Sequence, residues 1–210
     1  VLFECPTLSA LAARIDELST SPDDAEGGRA GIPLIPLRST STREGRIALS
    51  PSQQRLWFLE QVHPGSAINH ISMSMRIRGP VNPEVLERSV REIACRHEIL
   101  RTRFGSERGE GFAEVSAETI VTVGLHDFQG LDPTEQELQV RQILRTERSR
   151  PFALRQGPLF RVTLLRLEQG VHVLAVTFHR LVADGWSLRI FWKELARLWE
   201  AGGDDQFPSL

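Results

Sequence analysis

An apolar run near the C-terminal end of the chain, VHVLAVTF at residues 171–178, constrains the fold more than any other segment. The segment PLFRVTLLRL at 158–167 precedes it, and only the short turn EQG separates the two. Two strand-like segments joined by so short a turn predict an antiparallel hairpin. Because the second strand is apolar on both faces, we expect it to occupy a covered, central position in a sheet.

Segments with the pattern of amphipathic helices alternate with further strands. The helical segments are 50–62, 82–104, 134–152 and 187–203. In the second of them, apolar positions continue from Leu86 to Ile99, which predicts one long helix. The segment 69–79 alternates apolar and polar residues, which predicts a half-buried strand with Met73 and Met75 on its inner face. This mixed order predicts an α/β (α+β) sandwich.

The first 33 residues are organised differently. Residues 7–19 carry apolar side chains at spacings of three and four, which predicts a short amphipathic helix. Residues 20–33 are rich in Ser, Pro, Asp and Gly without any period, a composition typical of a linker. Because the chain begins VLFECPTLSA without an initiator Met, we expect this end to be an interior cut from a longer polypeptide.

The composition of the 210 residues excludes several classes of function. A formal net charge of −2 gives no bulk attraction to nucleic acid or to an anionic membrane. Cys5 and Cys95 are too few and too far apart for a disulfide framework or a metal site, so we interpret both as reduced thiols. No membrane span or signal peptide is found, and a cytoplasmic location is expected.

The segment FHRLVADGWS at 178–187 joins the apolar strand to the last helix. It places His179, Arg180, Asp184 and Gly185 at the carboxyl end of a strand, where reactive groups are often mounted. The same segment also fits a plain connection, with His179 a buried histidine and Asp184 or Ser187 a helix cap. The loop alone favours the plain connection.

Three segments change that balance because they resemble the signature motifs of a known family. SPSQQRLWFL at 50–59, RHEILRTRF at 96–104 and HRLVADGWS at 179–187 are similar, in order, to the first three motifs of nonribosomal peptide synthetase condensation domains. The N-terminal LFECPTLSALAARI resembles the last helix of a peptidyl carrier domain. The resemblance divides the chain into a carrier helix (1–19), a linker (20–33) and the N-terminal lobe of a condensation domain (34–210).

The resemblance implies a lobe like that of chloramphenicol acetyltransferase, one of two that enclose a tunnel. Phosphopantetheine arms of upstream and downstream carrier domains enter this tunnel from opposite faces, and the acceptor amine attacks the donor thioester. The implied partners are these carriers and a C-terminal lobe, with no directly bound cofactor, no nucleic acid and no membrane. The implied products are peptides such as antibiotics or siderophores, and the motifs look most like the subtype that joins L-configured residues.

The family signature is His-His-x-x-x-Asp-Gly, and Arg180 occupies the position of its second, reactive histidine. A guanidinium has only donors and stays charged, so Arg180 cannot accept a proton and we expect no peptide-bond formation. Neighbouring side chains in an extended strand point to opposite faces, so His179 should face the scaffold. Arg180 should then project into an open cleft or pair with a carboxylate such as Asp184 or Glu98.

The other motif residues are expected to support the site structurally. Ser50, Gln53 and Arg55 are interpreted as a helix cap with packing and hydrogen-bonding residues, because no nucleophile elbow accompanies the serine. Arg96, His97 and Glu98 are expected to form a buried polar brace near the site, and Arg101 is expected to support the site structurally. No histidine has the spacing of a metal ligand, so no metal is expected.

Two other hypotheses remain open beside an inactive condensation domain. Condensation-like domains that recruit tailoring oxygenases of the cytochrome P450 type carry His-Arg in this motif, so Arg180 also fits a binding platform. Alternatively, the arginine was introduced to disable an active domain. The downstream domain distinguishes the condensation domain from the recruitment platform. An adenylation domain follows a condensation domain, whereas a thioesterase follows the platform.

Overall fold

The computed structural model describes residues 45–118 and 120–201, so the predicted carrier helix and linker lie outside the described residues. The strands in this part are β1 (Arg46–Ala48), β2 (His70–Arg78), β3 (Thr102–Glu107), β4 (Glu110–Val115), β5 (Val123–Asp127), β6 (Phe160–Glu168) and β7 (Val171–His179). The helices are α1 (Pro51–Val62), α2 (Pro83–Arg96), α3 (Pro133–Ser149) and α4 (Gly185–Ala201). The predicted mixed α/β sandwich is confirmed.

The predicted hairpin forms the centre of the larger sheet. β6 and β7 pair antiparallel with Leu164 opposite Leu174, and the strand order is β2-β7-β6-β5. β7 is thus an interior strand, and every residue from His172 to His179 is buried. Its predicted central position is confirmed.

Helices cover both faces of this sheet, which explains why β7 carries apolar residues on both faces. α2 and α4 pack on one face, and α3 packs on the other. The first face is formed by Leu86 and Val90 of α2, Leu188 and Leu195 of α4, and Leu164 and Leu174 of the sheet. Alternate residues of β7 face the helices on the two sides of the sheet. A polar side chain at most of its positions would therefore be buried away from water and would need a hydrogen-bond partner within the protein.

A smaller antiparallel sheet, β1-β4-β3, lies beside α1. Arg108 and Gly109 form the turn between β3 and β4, and both have positive φ, as a tight two-residue hairpin turn requires. Leu56 and Trp57 of α1 pack against the core of this sheet. The same core includes Leu181, which follows β7, so α1 connects the smaller sheet to the end of the central strand.

The predicted helix over 82–104 is wrong beyond residue 96. α2 ends at Arg96, a single 3-10 turn spans Glu98–Arg101, and the chain continues as β3. Phe104 pairs with Ala113 of β4, so backbone hydrogen bonds to the next strand replace helical ones. Ile99, which was expected on the buried helix face, is 37% exposed.

The expectation for the strand at 69–79 is only partly met. Ile71 and Ile77 of β2 pack against the main core, but Met73 and Met75 are exposed. β2 is an edge strand of the described sheet, and α2 and α4 cover mainly the inner strands. The middle of the edge strand is therefore left uncovered by the described residues.

Candidate functional site

The loop between β7 and α4 is anchored by three consecutive apolar residues. Leu181 and Val182 belong to the core shared with α1, and Ala183 belongs to the core beneath α4. The residues on either side of this anchor, Arg180 and Asp184, are exposed. The loop thus presents its polar side chains on a backbone fixed by packing.

His179 is 1% exposed, and both of its ring nitrogens are engaged. The backbone N–H of Leu181 donates to His179 Nδ1 over 3.1 Å, so Nδ1 must be the unprotonated nitrogen. Nε2 then carries the hydrogen and donates it to Glu60 Oε1 at 3.2 Å. Burial lowers the pKa of His179, against the hydrogen bond and charge of Glu60, which raise it. A neutral imidazole with no free lone pair cannot take a proton from a substrate.

Arg180 lies on the exposed side, as the alternation of side chains predicts, and this placement is confirmed. Its backbone N–H donates to the carbonyl oxygen of Asn69 over 2.8 Å. None of the ion pairs between described residues includes Arg180, so the expected pairing with Asp184 or Glu98 is not found there. Arg180 therefore presents its guanidinium to solvent.

Asp184 is the N-terminal cap of α4, which confirms one of the two predicted caps. Its Oδ1 accepts the backbone N–H of Ser187 at 2.8 Å and the Ser187 hydroxyl at 2.6 Å. These hydrogen bonds favour the carboxylate and lower the pKa of Asp184. The carboxylate is thereby fixed to the helix start, close to Arg180 in sequence but without contacting it.

Gly185, the glycine of the loop, has no conformation among the described residues that only glycine could adopt. Gly185 is the first residue of α4, and its φ is outside the positive region in which glycine is favoured. A Cβ added there would meet no described atom within 4 Å. The lobe alone gives no steric reason for glycine.

Ser50 and Gln53 form the predicted cap of α1. Ser50 Oγ accepts the Gln53 N–H at 3.2 Å, and Gln53 Oε1 accepts the Ser50 N–H at 3.0 Å, which is a complete capping box. The Gln53 amide also makes a long, 3.5 Å contact to the carbonyl of Leu181. Arg55 of the same motif is exposed on the helix surface.

Of the motif residues expected near the site, His97 and Arg101 connect separate elements, whereas Arg96 pairs within α2. Arg96 Nε donates to Glu92 at 2.7 Å, His97 Nε2 lies 2.9 Å from the Glu194 carboxylate of α4, and Arg101 Nη1 donates to the Ser116 carbonyl at 2.6 Å. The His97 side chain is 38% exposed, so this part of the brace is half-buried and not fully buried as expected. His97 also lines a cavity of about 110 Å³ with Val182, Ala183 and Ser187 of the loop segment.

Within residues 45–118 and 120–201, no group of three His, Cys, Asp or Glu side chains could hold a metal ion. No helix in the same residues is long and apolar enough to cross a membrane.

The sequence profile of the condensation domain family matches residues 43–210. The chain belongs to the condensation domain family. The match includes the loop at 179–185 and both preceding motifs, so Arg180 occupies a defined position within a condensation domain.

Relatives of this condensation domain are found in large synthetases. A linear gramicidin synthase of Brevibacillus parabrevis is 36% identical over 212 residues, which cover 100% of this chain and 3% of that protein. Phosphinothricin tripeptide synthetase PhsC of Streptomyces viridochromogenes is 34% identical over 206 residues, 97% of this chain and 19% of that protein. The chain thus spans a small part of the relatives it matches.

Solved condensation domains have the same fold. The starter condensation domain of rhizomide synthetase RzmA superposes with a TM-score of 0.72 at 21% identity, over 79% of this chain and 40% of that one. The first condensation domain of the calcium-dependent antibiotic synthetase, solved with a substrate analogue, gives 0.72 at 25% identity with the same coverage. The described part of the chain is one lobe of a chloramphenicol-acetyltransferase-like fold.

Sequence reasoning missed two buried residues that hydrogen-bond the end of β7, Glu60 and Asn69. Both are buried, and the Asn69 Nδ2 donates to Glu60 Oε1 at 2.9 Å. A signal was present in α1, because Glu60 follows Leu56 by four residues and Trp57 by three. A carboxylate at an inward position of an amphipathic helix requires a buried hydrogen-bond partner, which a search of the later motifs could have sought.

Proposed function

We propose that this condensation domain acts in nonribosomal peptide synthesis and that, in its complete two-lobed form, the domain type joins two carrier-bound substrates. The amine nitrogen of the acceptor attacks the carbonyl carbon of the donor thioester, a C–N bond forms, the C–S bond breaks and the amine loses a proton. The donor phosphopantetheine leaves as a thiol. Membership of the family and the synthetases among its relatives support this role.

The chain as it stands is proposed to be inactive in that reaction. The observation that carries this proposal is the arrangement of residues 179 and 180 at the end of β7. His179 is buried with both nitrogens engaged, and the exposed position holds Arg180. Neither side chain can accept the proton that the amine must lose.

The test is Arg180→His in a protein that contains both lobes, with donor and acceptor carriers whose loading is verified by mass spectrometry. We expect dipeptide formation at least tenfold above the arginine protein, since a positioned general base contributes about 10²-fold or more. Arg197→His, which changes an exposed arginine elsewhere on α4, is the control and should leave the rate unchanged. If the 180 variant is as inactive as its parent, loss of the histidine does not explain the inactivity.

A second function, a platform that recruits a tailoring oxygenase, is favoured by the same residue. An exposed guanidinium without an ion-pair partner among the described residues is available to an acidic surface of another protein. Under this proposal Arg180→Ala lowers affinity for a cytochrome P450-type oxygenase acting on the same carrier-bound peptide. Absence of any such binding, together with an adenylation domain immediately downstream, would favour the condensation role.

A further inference from the structure

Glu60 is a buried carboxylate near the C-terminal end of α1. Its side chain is 8% exposed, and a single oxygen, Oε1, accepts hydrogen bonds from Asn69 Nδ2 at 2.9 Å and from His179 Nε2 at 3.2 Å. Neither donor is a cation, because His179 is neutral. An apolar side chain would pack at this position with less desolvation, so the two hydrogen bonds are the specific contribution of Glu60.

Both donors are directly connected to the backbone of residue 180. The carbonyl oxygen of Asn69 accepts the N–H of Arg180 at 2.8 Å. The ring of His179 accepts the N–H of Leu181 at 3.1 Å, and the His179 carbonyl accepts the N–H of Val182 at 3.0 Å. Glu60 is therefore linked to both peptide groups that flank residue 180. Asn69 provides the link to the peptide before it, and His179 provides the link to the peptide after it.

We propose that Glu60 is a positioning residue that sets the direction in which the side chain at position 180 enters the substrate cleft. The inference rests on the proposed function, in which residue 180 stands where the reacting amine is bound. Glu60 does not touch substrate. It acts because α1 is anchored in the smaller sheet through Leu56 and Trp57, so its carboxylate provides a fixed acceptor for the end of β7.

Two substitutions separate geometry from charge. Glu60→Gln keeps the Oε1 acceptor for both donors and removes the charge, whereas Glu60→Ala removes the acceptor. Gln61→Ala, at the next, exposed position of the same helix, is the control. In this chain we expect the amide of residue 180 to exchange with solvent about tenfold faster in Glu60→Ala, as for the loss of one buried hydrogen bond, and at the parental rate in Glu60→Gln and Gln61→Ala.

The exchange measurement does not depend on catalysis, so it remains decisive if the Arg180→His protein proves inactive. Unchanged exchange at residue 180 in Glu60→Ala overturns the proposal. If Glu60→Ala does not fold, Asn69→Ala replaces it, because it removes one of the two donors and leaves the backbone carbonyl of residue 69 in place. The same acceleration supports the proposal, and parental exchange overturns it.

In the two-lobed Arg180→His protein the proposal predicts a specific kinetic pattern. Glu60→Ala should lower kcat about tenfold with KM nearly unchanged, because a misdirected residue 180 fails in the reaction and not in binding. Glu60→Gln should restore kcat to within about twofold, since it restores the geometry. A rise in KM alone, or a kcat in Glu60→Gln as low as in Glu60→Ala, contradicts a positioning role.

Discussion

At the scale of single residues, the neighbours His179 and Arg180 at the end of β7 have different roles. His179 stabilises the scaffold, with one ring nitrogen bound to the backbone of its own loop and the other to α1. Arg180 contributes its backbone to the scaffold and its side chain to solvent. A strand separates structural from exposed side chains at every second residue, so adjacent positions can evolve under different constraints.

The two buried histidines of β7 predict loss of stability in mild acid. Burial lowers the pKa of both His172 and His179 below the ordinary value of 6.5, so the unfolded chain binds protons that the folded chain does not. The free energy of unfolding should therefore fall as the pH drops below about 6.5, by at most about 1.4 kcal/mol per pH unit for each histidine. Urea denaturation between pH 8 and pH 5 measures this change.

His172→Gln is the variant that checks the source of this pH dependence. It removes one titrating group and leaves the hydrogen bonds of His179 in place, so the slope between pH 6.5 and pH 5 should become smaller. A free energy of unfolding that is constant from pH 7 to pH 5 in the parent protein would show that the histidines remain accessible to protons.

Two glycines should respond in opposite ways to alanine. At Gly185 an added Cβ meets no described atom, so Gly185→Ala should raise the free energy of unfolding by about 0.5 kcal/mol through reduced chain entropy. At Gly111 the Cβ would lie 2.7 Å from Leu49 Cδ1, so Gly111→Ala should lower it by about 1–3 kcal/mol. Thermal and urea denaturation distinguish them, and a destabilised Gly185→Ala would refute the open space at that position.

At the scale of elements, the sequence was sufficient to predict helix caps and the central hairpin, whose contacts join residues close together in the chain. The caps at Ser50 and Asp184 involve residues three apart, and the central hairpin follows from the apolar run at 171–178 with its short turn. The end of α2 is an exception, because the apolar spacing of a helix continues past Arg96 to Ile99 and conceals the start of the β3–β4 hairpin. Only the pairing of these two strands makes the extended backbone at Thr102 more favourable than continued helix.

The candidate site shows the same division between local and distant contacts. The positions of His179 and Arg180 follow from strand alternation, so the sequence predicts them. Glu60 and His179 are 119 residues apart, and no periodicity in either segment identifies the other as its partner. Distant pairs between buried polar groups require the tertiary fold, because each group alone fits several partners.

The cap of α4 gives a prediction at this scale. Asp184→Ala removes the acceptor of both Ser187 hydrogen bonds and should cost about 1 kcal/mol, whereas Asp184→Asn keeps an acceptor and should cost less. The measurement is the melting temperature, which should be highest for the parent protein, lower for Asp184→Asn and lowest for Asp184→Ala. A lower melting temperature for Asn than for Ala would mean that Asp184 does not act as a cap.

At the scale of the whole molecule, the described lobe carries large apolar side chains that its own cores do not cover. Phe58 and Val62 lie four residues apart on α1, and Ile68 follows them, while Trp186 and Ile190 repeat the spacing on α4. All five are at least 41% exposed. Exposed large apolar side chains are typical of surfaces that contact another domain or another protein.

The chain on its own is therefore expected to self-associate at tens of micromolar, and sedimentation velocity at several concentrations measures this. The double substitution Phe58→Ser with Ile68→Ser should shift the profile towards monomer by removing exposed apolar area without touching the cores. Leu138→Ser, which changes an exposed leucine on α3, is the control. A strictly monomeric parent protein, or equal effects of the double substitution and the control, would contradict this expectation.

The hydrogen bonds around residue 180 come from its backbone and its neighbours, so the identity of its side chain is separable from the stability of the fold. A histidine codon becomes an arginine codon through a single base transition. Under the proposed function, exchange of histidine for arginine at position 180 replaces a proton acceptor with a cation and leaves these hydrogen bonds of the scaffold in place.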